Sequence, residues 1–300
     1  MRTPPPGRTL LGIGLMLSAM AILPFLDVVA KHLGQQGVPI LQIVWARLFL
    51  GAVITLPFAL QLAGPRGLVP NMPLVHAVRS AFLIAATGFF FWGLKYQSIA
   101  DTLSIFFVQP LIVTLLSPVV LGEKVGLRRW VAVMIGFIGT LVIIRPGFQE
   151  LNPGVFLALA AGLSLAIYML LTRRISGSAP AMVTTFYTSL MGAILMSAVV
   201  PLVWQPVMPS QWALFLLLAL IANAGHYLIV KAYDHAEASL LAPLAYTEMI
   251  MAVAAGWYFF GDFPDRWTFA GVGILIASAI YVSISEGARK IEPLRDFEQP

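Results

Sequence analysis

Three hundred residues with a net charge of +5, 59% hydrophobic content and only 10% charged side chains cannot clothe a water-soluble particle. Soluble domains carry about 25% charged residues, and the mean hydropathy of +0.89 points the same way. Zero cysteines exclude disulfides, iron–sulfur clusters and thiolate zinc sites, and the four histidines (His32, His76, His226, His235) share no metal-ligand spacing, so neither metal nor cofactor is expected.

A membrane helix needs about 20 mostly apolar residues. By that measure the sequence predicts ten spans, near 9–31, 39–62, 72–94, 101–121, 128–146, 153–172, 179–203, 210–231, 237–260 and 267–286. Turn chemistry separates them at Gly34–Gly37, Ala63–Pro70, Gly122–Gly126, Pro146–Pro153, Ser176–Pro180 and Trp204–Ser210. Short connectors leave no room for an inserted soluble domain. Residues 1–8 and 287–300 read as tails. Arg2, Arg8 and the Ala19-Met20-Ala21 stretch imitate a cleavable signal. The apolar run continues past that point, so a retained first helix is expected.

Orientation follows from basic residues in the connectors. With a cytoplasmic amino terminus, the inner side collects Arg2, Arg8, Arg66, Lys124, Arg128, Arg129, Arg173, Arg174, Lys231, Arg289, Lys290 and Arg295. The outer side holds only Lys31, Lys95, Arg145 and Arg266. Both termini are therefore expected in the cytoplasm of a bacterial-type inner membrane. The basic pI of 9.6 follows from this topology and not from a nucleic-acid-binding face.

The two halves, 9–146 and 153–286, repeat. Lys95 and Ala100-Asp101 ahead of span four match Lys231 and Ala236-Glu237 ahead of span nine. Pro110 and Pro243 interrupt those spans at comparable depth, and Gly122-Glu123 and Gly261-Asp262 close them. Arg129-Trp130 and Arg266-Trp267 open the next spans. Weaker matches pair Pro39 with Pro180 and Gly51 with Gly192. Five spans per half is an odd number, so the second copy enters the membrane upside down. Such inverted repeats underlie alternating access in many secondary transporters.

Gly122-Glu123-Lys124, followed by Arg129-Trp130 and a Gly136/Gly139 helix, resembles the EamA signature of the drug/metabolite transporter superfamily. A second copy runs from Gly261-Asp262-Phe263-Pro264-Asp265 to Gly271/Gly273, and Arg47 within span two also looks like a family position. The resemblance covers roughly residues 10 to 286. It implies an all-α integral membrane fold of ten helices in two inverted five-helix repeats around a central substrate cavity. Asp262 stands where the first copy has Glu123, and Tyr187 where a counterpart of Arg47 would be sought.

Charges at hydrocarbon depth cost about 2.5–3.5 kcal/mol each on insertion scales, so each needs a partner or a purpose. Asp27 in span one and Arg47 in span two are placed to pair across adjacent helices, as a structural ion pair or as a gate or substrate contact. Lys31, one turn beyond Asp27, competes for it. Glu248, in the middle of span nine, is the best candidate for a proton-coupling carboxylate. Arg79 and His76 in span three could receive a carboxylate, although an arginine there also snorkels readily to headgroups. His226 with Tyr227, and Tyr168, offer polar contacts, and Tyr246 is close enough in sequence to reach the same region beside Pro243. Trp92, Trp130, Trp204, Trp212, Trp257 and Trp267 fall near span ends and read as an interfacial belt. Glu123 and Asp262 read as structural, each capping or pairing at the start of the next helix. Small residues at Gly12/Gly14, Gly136/Gly139 and Gly271/Gly273 read as helix contacts.

These residues favour a carrier of a small organic metabolite, with an amino acid or related carboxylate suiting the mixture of Arg47 and Arg79 with Asp27 and Glu248. Protons and the lipid bilayer are the other expected partners; no nucleic acid is. A cation or drug exporter and a lipid flippase share this fold logic. A membrane-embedded enzyme is disfavoured, because no GxSxG or HExxH pattern occurs.

Overall fold

The computed structural model describes residues 6–68, 72–97, 99–145 and 152–261, together with parts of 266–281. Among the described residues the chain is helical throughout, with no strand. The helices are α1 (Pro6–Ile22), α2 (Pro24–Gln35), α3 (Ile40–Gly67), α4 (Pro73–Gly93), α5 (Ile99–Phe106) and α6 (Gln109–Leu121). They continue with α7 (Leu127–Ile144), α8 (Pro153–Arg174), α9 (Ala181–Val199), α10 (Pro209–His235), α11 (Ala238–Leu241) and α12 (Thr247–Phe260). An apolar helix follows at Phe269–Ser278.

Among the described residues, seven segments are long and apolar enough to cross a membrane: Arg8–Gln35, Ile40–Gly67, Pro73–Gly93, Pro153–Arg174, Ala181–Leu202, Pro209–His235 and Ala238–Phe260. They coincide with expected spans one, two, three, six, seven, eight and nine. The helix Gln109–Leu121 is shorter, because the fourth expected span does not run as one helix. It stops after Phe106 and restarts at Gln109, with Pro110 in the first turn of α6. Proline lacks an N–H and fits best in that first turn, where no intrahelical bond is lost, so the helix restarts on it. Span one is divided in the same way at Leu23, with Pro24 opening α2. In span nine the divide is a 3-10 stretch, Ala242–Tyr246, that contains Pro243.

Helix ends obey local chemistry. The Asn152 side chain accepts a 2.8 Å bond from the Gly154 amide at the start of α8, and Arg173 and Arg174 occupy its last turn, where the helix dipole favours cations. α6 and α12 both end on a left-handed glycine, Gly122 at φ 68° and Gly261 at φ 72°. Only a residue without Cβ takes that conformation freely.

Packing interleaves early and late helices: α3 lies against α9, α4 against α8 and α1 against α10. At the α3–α9 crossing, a Cβ on Gly192 would stand 2.8 Å from a Leu48 methyl and one on Gly51 3.1 Å from Ser189 Oγ, the latter also 2.4 Å from the Asn223 amide nitrogen of α10. Bare backbone therefore sets the interhelical distance there. Gly12 is likewise closed in by Ala236 and Gly139 by Ile274, whereas Gly14 and Gly273 face open space and are not contact residues as expected. The periphery is apolar, with Leu74, Val119 and Tyr258 among many exposed large side chains. Such a surface suits lipid and not water. Trp92, Trp204, Trp212, Trp257 and Trp267 lie on it.

Tyr246 is fully buried in a slot on α7, its hydroxyl donating at 3.4 Å to the Val133 carbonyl. A Cβ on Gly136 would lie 2.1 Å from the Tyr246 ring. Gly136→Ala is therefore expected to destabilise the protein by about 1–3 kcal/mol through overpacking. Thermal unfolding in detergent measures this, and Tyr246→Leu in the same chain should recover most of the loss. An unchanged midpoint in Gly136→Ala would show the slot is not tight.

Candidate functional site

All three broken spans contribute side chains to a common interior cavity. Its volume is about 70 Å³, room for about five waters at about 10–15 Å³ each. Met20, Leu23, Leu26 and Asp27 line it from α1, α2 and the residue between them. Leu103 and Phe106 contribute from α5, and Glu248 from α12. Arg47 enters from α3, Thr87, Phe90 and Phe91 from α4, Met169 from α8, and His226 from α10. The walls are thus largely apolar and aromatic, with Phe90 and Phe106 in edge contact at 5.1 Å. Polar groups converge on them at only a few points, as in most small-molecule sites.

The charges in the cavity are unequally satisfied. Asp27 lies in the first turn of α2 and Glu248 in the first turn of α12, where the helix dipole stabilises a carboxylate. Both are buried, at 6% and 9% exposure, and among the described residues neither carboxyl has a hydrogen bond or ion pair. Arg47 has no such deficit. Its Nη1 donates to Thr87 Oγ1 at 2.6 Å, and its Nη2 meets His226 Nε2 at 2.5 Å. The cross-helix ion pair expected between Asp27 and Arg47 is therefore absent: they share a cavity, but the guanidinium is turned to α4 and α10. Lys31 does not compete for Asp27 either, since its ammonium lies 4.6 Å from the centre of the Phe260 ring.

Because a guanidinium only donates, His226 Nε2 must accept, which places the imidazole proton on Nδ1. Nδ1 then donates to Tyr168 Oη at 3.2 Å. The Tyr168 ring in turn stacks beneath the Arg79 guanidinium at 5.2 Å. Arg79 is wholly buried and does not snorkel. It donates to Thr172 Oγ1 at 3.1 Å and the Thr184 carbonyl at 2.9 Å, and also to Thr188 Oγ1. A polar chain thus runs from Thr87 through Arg47, His226 and Tyr168 to Arg79.

Of the residues singled out by sequence, Asp27, Arg47, His226 and Glu248 are brought together around the cavity. Tyr168 braces His226 from behind. Arg79, His76 and Tyr246 lie outside the lining; His76 is buried with its ring edge-on to Tyr187 at 5.3 Å. Pro110 and Pro243 sit in the divided spans that bound the cavity. Glu123 caps a helix, but not the next one: its carboxylate accepts from the Ala238 and Ser239 amides at 3.0 and 3.1 Å, at the start of α11. Asp262 lies outside the described residues. Thr87, Phe90, Phe91, Phe106 and Met169 escaped the sequence reading, because apolar and hydroxyl side chains at such positions look the same whether they face lipid, core or cavity.

The EamA-like transporter family model matches residues 10–145 and again 152–284. The chain belongs to the EamA-like transporter family. Among relatives of this EamA-like chain, the S-adenosylmethionine uptake transporter of Rickettsia prowazekii (strain Madrid E) is 26% identical over 262 residues, covering 87% of this chain and 88% of that one. The riboflavin transporter of Vibrio cholerae serotype O1 is 26% identical, with 89% and 91% covered. The pseudopaline exporter CntI of Pseudomonas aeruginosa (strain UCBPP-PA14) is 25% identical, with 91% and 97% covered. A solved crystal structure shares the fold at a TM-score of 0.75 and 20% identity, covering 96% of this chain and 99% of its own. This EamA-like protein is thus a multi-pass membrane protein, and its cavity is the place to look for cargo.

Arg47 spans two helices because its fork presents two nitrogens at once, which a lysine cannot do. Arg47→Lys should lose one of the Thr87 and His226 bonds and about 1.5–3 kcal/mol of stability. Chemical unfolding in detergent checks this. A variant as stable as the parent would show that the bridge contributes nothing.

Proposed function

We propose that this chain is a secondary transporter that moves a small organic metabolite across the bacterial inner membrane by alternating access. The two halves, 9–146 and 153–286, act as inverted five-helix repeats with both termini in the cytoplasm. The observation that carries the reading is the cavity itself, lined by residues of both halves and bounded by three broken spans. Discontinuous helices at a buried site are the arrangement by which secondary transporters expose main-chain dipoles to cargo and ions. Paired breaks at Pro110 and Pro243 and paired end glycines at Gly122 and Gly261 support the repeat. The family match and the relatives, transporters all, favour a carrier over an enzyme.

The best reading of the cargo is an amino acid or a related carboxylate. Two unneutralised carboxyls, Asp27 and Glu248, suit an ammonium group. Arg47 suits a carboxylate once it exchanges Thr87 for the cargo. S-Adenosylmethionine, named for the Rickettsia relatives, is an amino-acid derivative with both groups. One observation favours a second reading, export of an organic cation: Arg47 is already engaged, which leaves the carboxyls as the unpartnered charges.

Glu248 is the residue proposed to couple transport to protons, since a carboxyl that binds either a proton or cargo exchanges one for the other. Uptake by the purified protein in proteoliposomes, with labelled amino acids and S-adenosylmethionine as probes, tests both parts. An imposed pH gradient should stimulate uptake by the parent and leave Glu248→Gln unstimulated. Stimulation of the variant to the parental degree would remove Glu248 from the coupling, and no transport of any probe would count against the metabolite reading.

A further inference from the structure

One helical turn beyond the cavity, on the side of the 122–126 connector, four charged side chains converge with polar groups of α10 and α11. Along α8 the cavity-lining Met169 is followed by Arg173, and along α10 Ile229 is followed by Tyr233, steps of about 6 Å in each helix. Arg173 Nε lies 3.4 Å from Glu123 Oε1, and its Nη1 donates to the Tyr233 carbonyl. Glu123 accepts from the Ala238 and Ser239 amides. Arg129, from the first turn of α7, bonds Glu237 at 2.5 Å and Ser239 Oγ at 2.6 Å. Connector 122–126, α7, α8, α10 and α11 are thus laced together across the end of the cavity. Tyr233, whose carbonyl takes the Arg173 bond, is fully buried, as are Tyr168 on α8 and Leu241 on α11.

We propose that this cluster is the closed gate of the transport cycle on the connector face, and that opening the cavity toward that face requires Glu123 to release the amino end of α11. The inference rests on the transporter reading and adds the residues that control access. Its chemistry suits a reversible latch. Glu123 holds main-chain amides at the amino end of the Ala238–Phe260 segment, whose α-helical ladder changes to 3-10 after Leu241, so the first turn relies on this cap for its otherwise unpaired amides. The bonds are charge-assisted, strong when dry and exchangeable for water when wetted. The same Glu123 that reads from sequence as a structural cap is therefore a moving part, bonded to a helix more than a hundred residues away in the chain.

The chain has no cysteine, so single reporters can be placed in it without background. Met169→Cys reports on the cavity, and a separate Lys124→Cys identifies the connector face. Both are treated in proteoliposomes with a membrane-impermeant methanethiosulfonate reagent, with no cargo present, so the result does not depend on which metabolite is carried. Adding Glu123→Gln to Met169→Cys should raise its modification rate from the Lys124→Cys face by about tenfold, the scale of losing charge-assisted hydrogen bonds, with no rise from the opposite face. Glu237→Gln, which spares the Glu123 bonds, should give a smaller rise on the same face. The charge-swapped pair Arg129→Glu with Glu237→Arg should return the rate toward the parental one. An unchanged rate in folded Glu123→Gln, or an equal rise from both faces, would overturn the gate. If Glu123→Gln does not fold, the contrast between Glu237→Gln and the swapped pair decides instead, and no difference between them overturns the proposal.

Discussion

Hydrocarbon offers a peptide group nothing to bond to, and that constraint organises this molecule. A backbone amide left unpaired in lipid costs several kcal/mol, so lipid-facing chain must be helical. The described residues comply, with long helices at the periphery. Irregular backbone at depth occurs where Leu23, Phe107–Val108 and Ala242–Tyr246 interrupt their spans, and there it is enclosed by protein, with Leu23, Phe106 and Glu248, at or within two residues of the breaks, lining the cavity. Leu23 is barely exposed, and Phe107 and Tyr246 are not exposed at all. Proline enforces each break. The same breaks put Asp27 and Glu248 in the first turns of restarted helices, where a carboxyl is tolerated far from water.

Buried charge is handled in two different ways at two depths. Around the cavity, both terminal nitrogens of Arg47 are engaged, by Thr87 and His226, while the two carboxyls have no bonded partner among the described residues. A half-satisfied polar site is a poor way to stabilise a core and a good way to bind something that arrives later. One turn away, Glu123, Arg129, Arg173 and Glu237 satisfy one another and the amides of α11. Neighbouring clusters of such different completeness divide the labour: one group waits for cargo, the other holds the structure shut.

Much of the architecture was legible in the chain. Charge scarcity demanded a bilayer, and the apolar runs located seven long spans to within a few residues at most ends. Pro110 and Pro243 marked the divided helices, because proline's missing N–H acts through the local chain whatever surrounds it. Asp27, Arg47 and Glu248 stood out because a charge in an apolar run is conspicuous at once. The partners of those charges were not legible. Arg47 was expected to meet Asp27 on the preceding span and instead bridges α4 and α10, because side-chain direction at a helix crossing depends on rotation about two axes that no local pattern encodes. The aromatic wall of Phe90, Phe91 and Phe106 stayed hidden for a related reason. In a chain apolar on both its lipid and its core faces, hydrophobic periodicity loses its contrast.

Composition and local stereochemistry, then, determined by themselves that this protein lives in a membrane, where its helices run and break, and which charges require an explanation. Those properties depend on transfer energies and backbone sterics, which act on each segment alone. Which charges are neutralised, which remain open to a cavity and which lace distant segments together was decided only by the tertiary structure. Glu123 is the clearest case. Its neighbours in sequence mark it as an end-of-helix carboxylate, and only the folded chain brings Ala238 and Ser239 to it, since hydrogen bonds are made across a few ångströms of space and not along the chain.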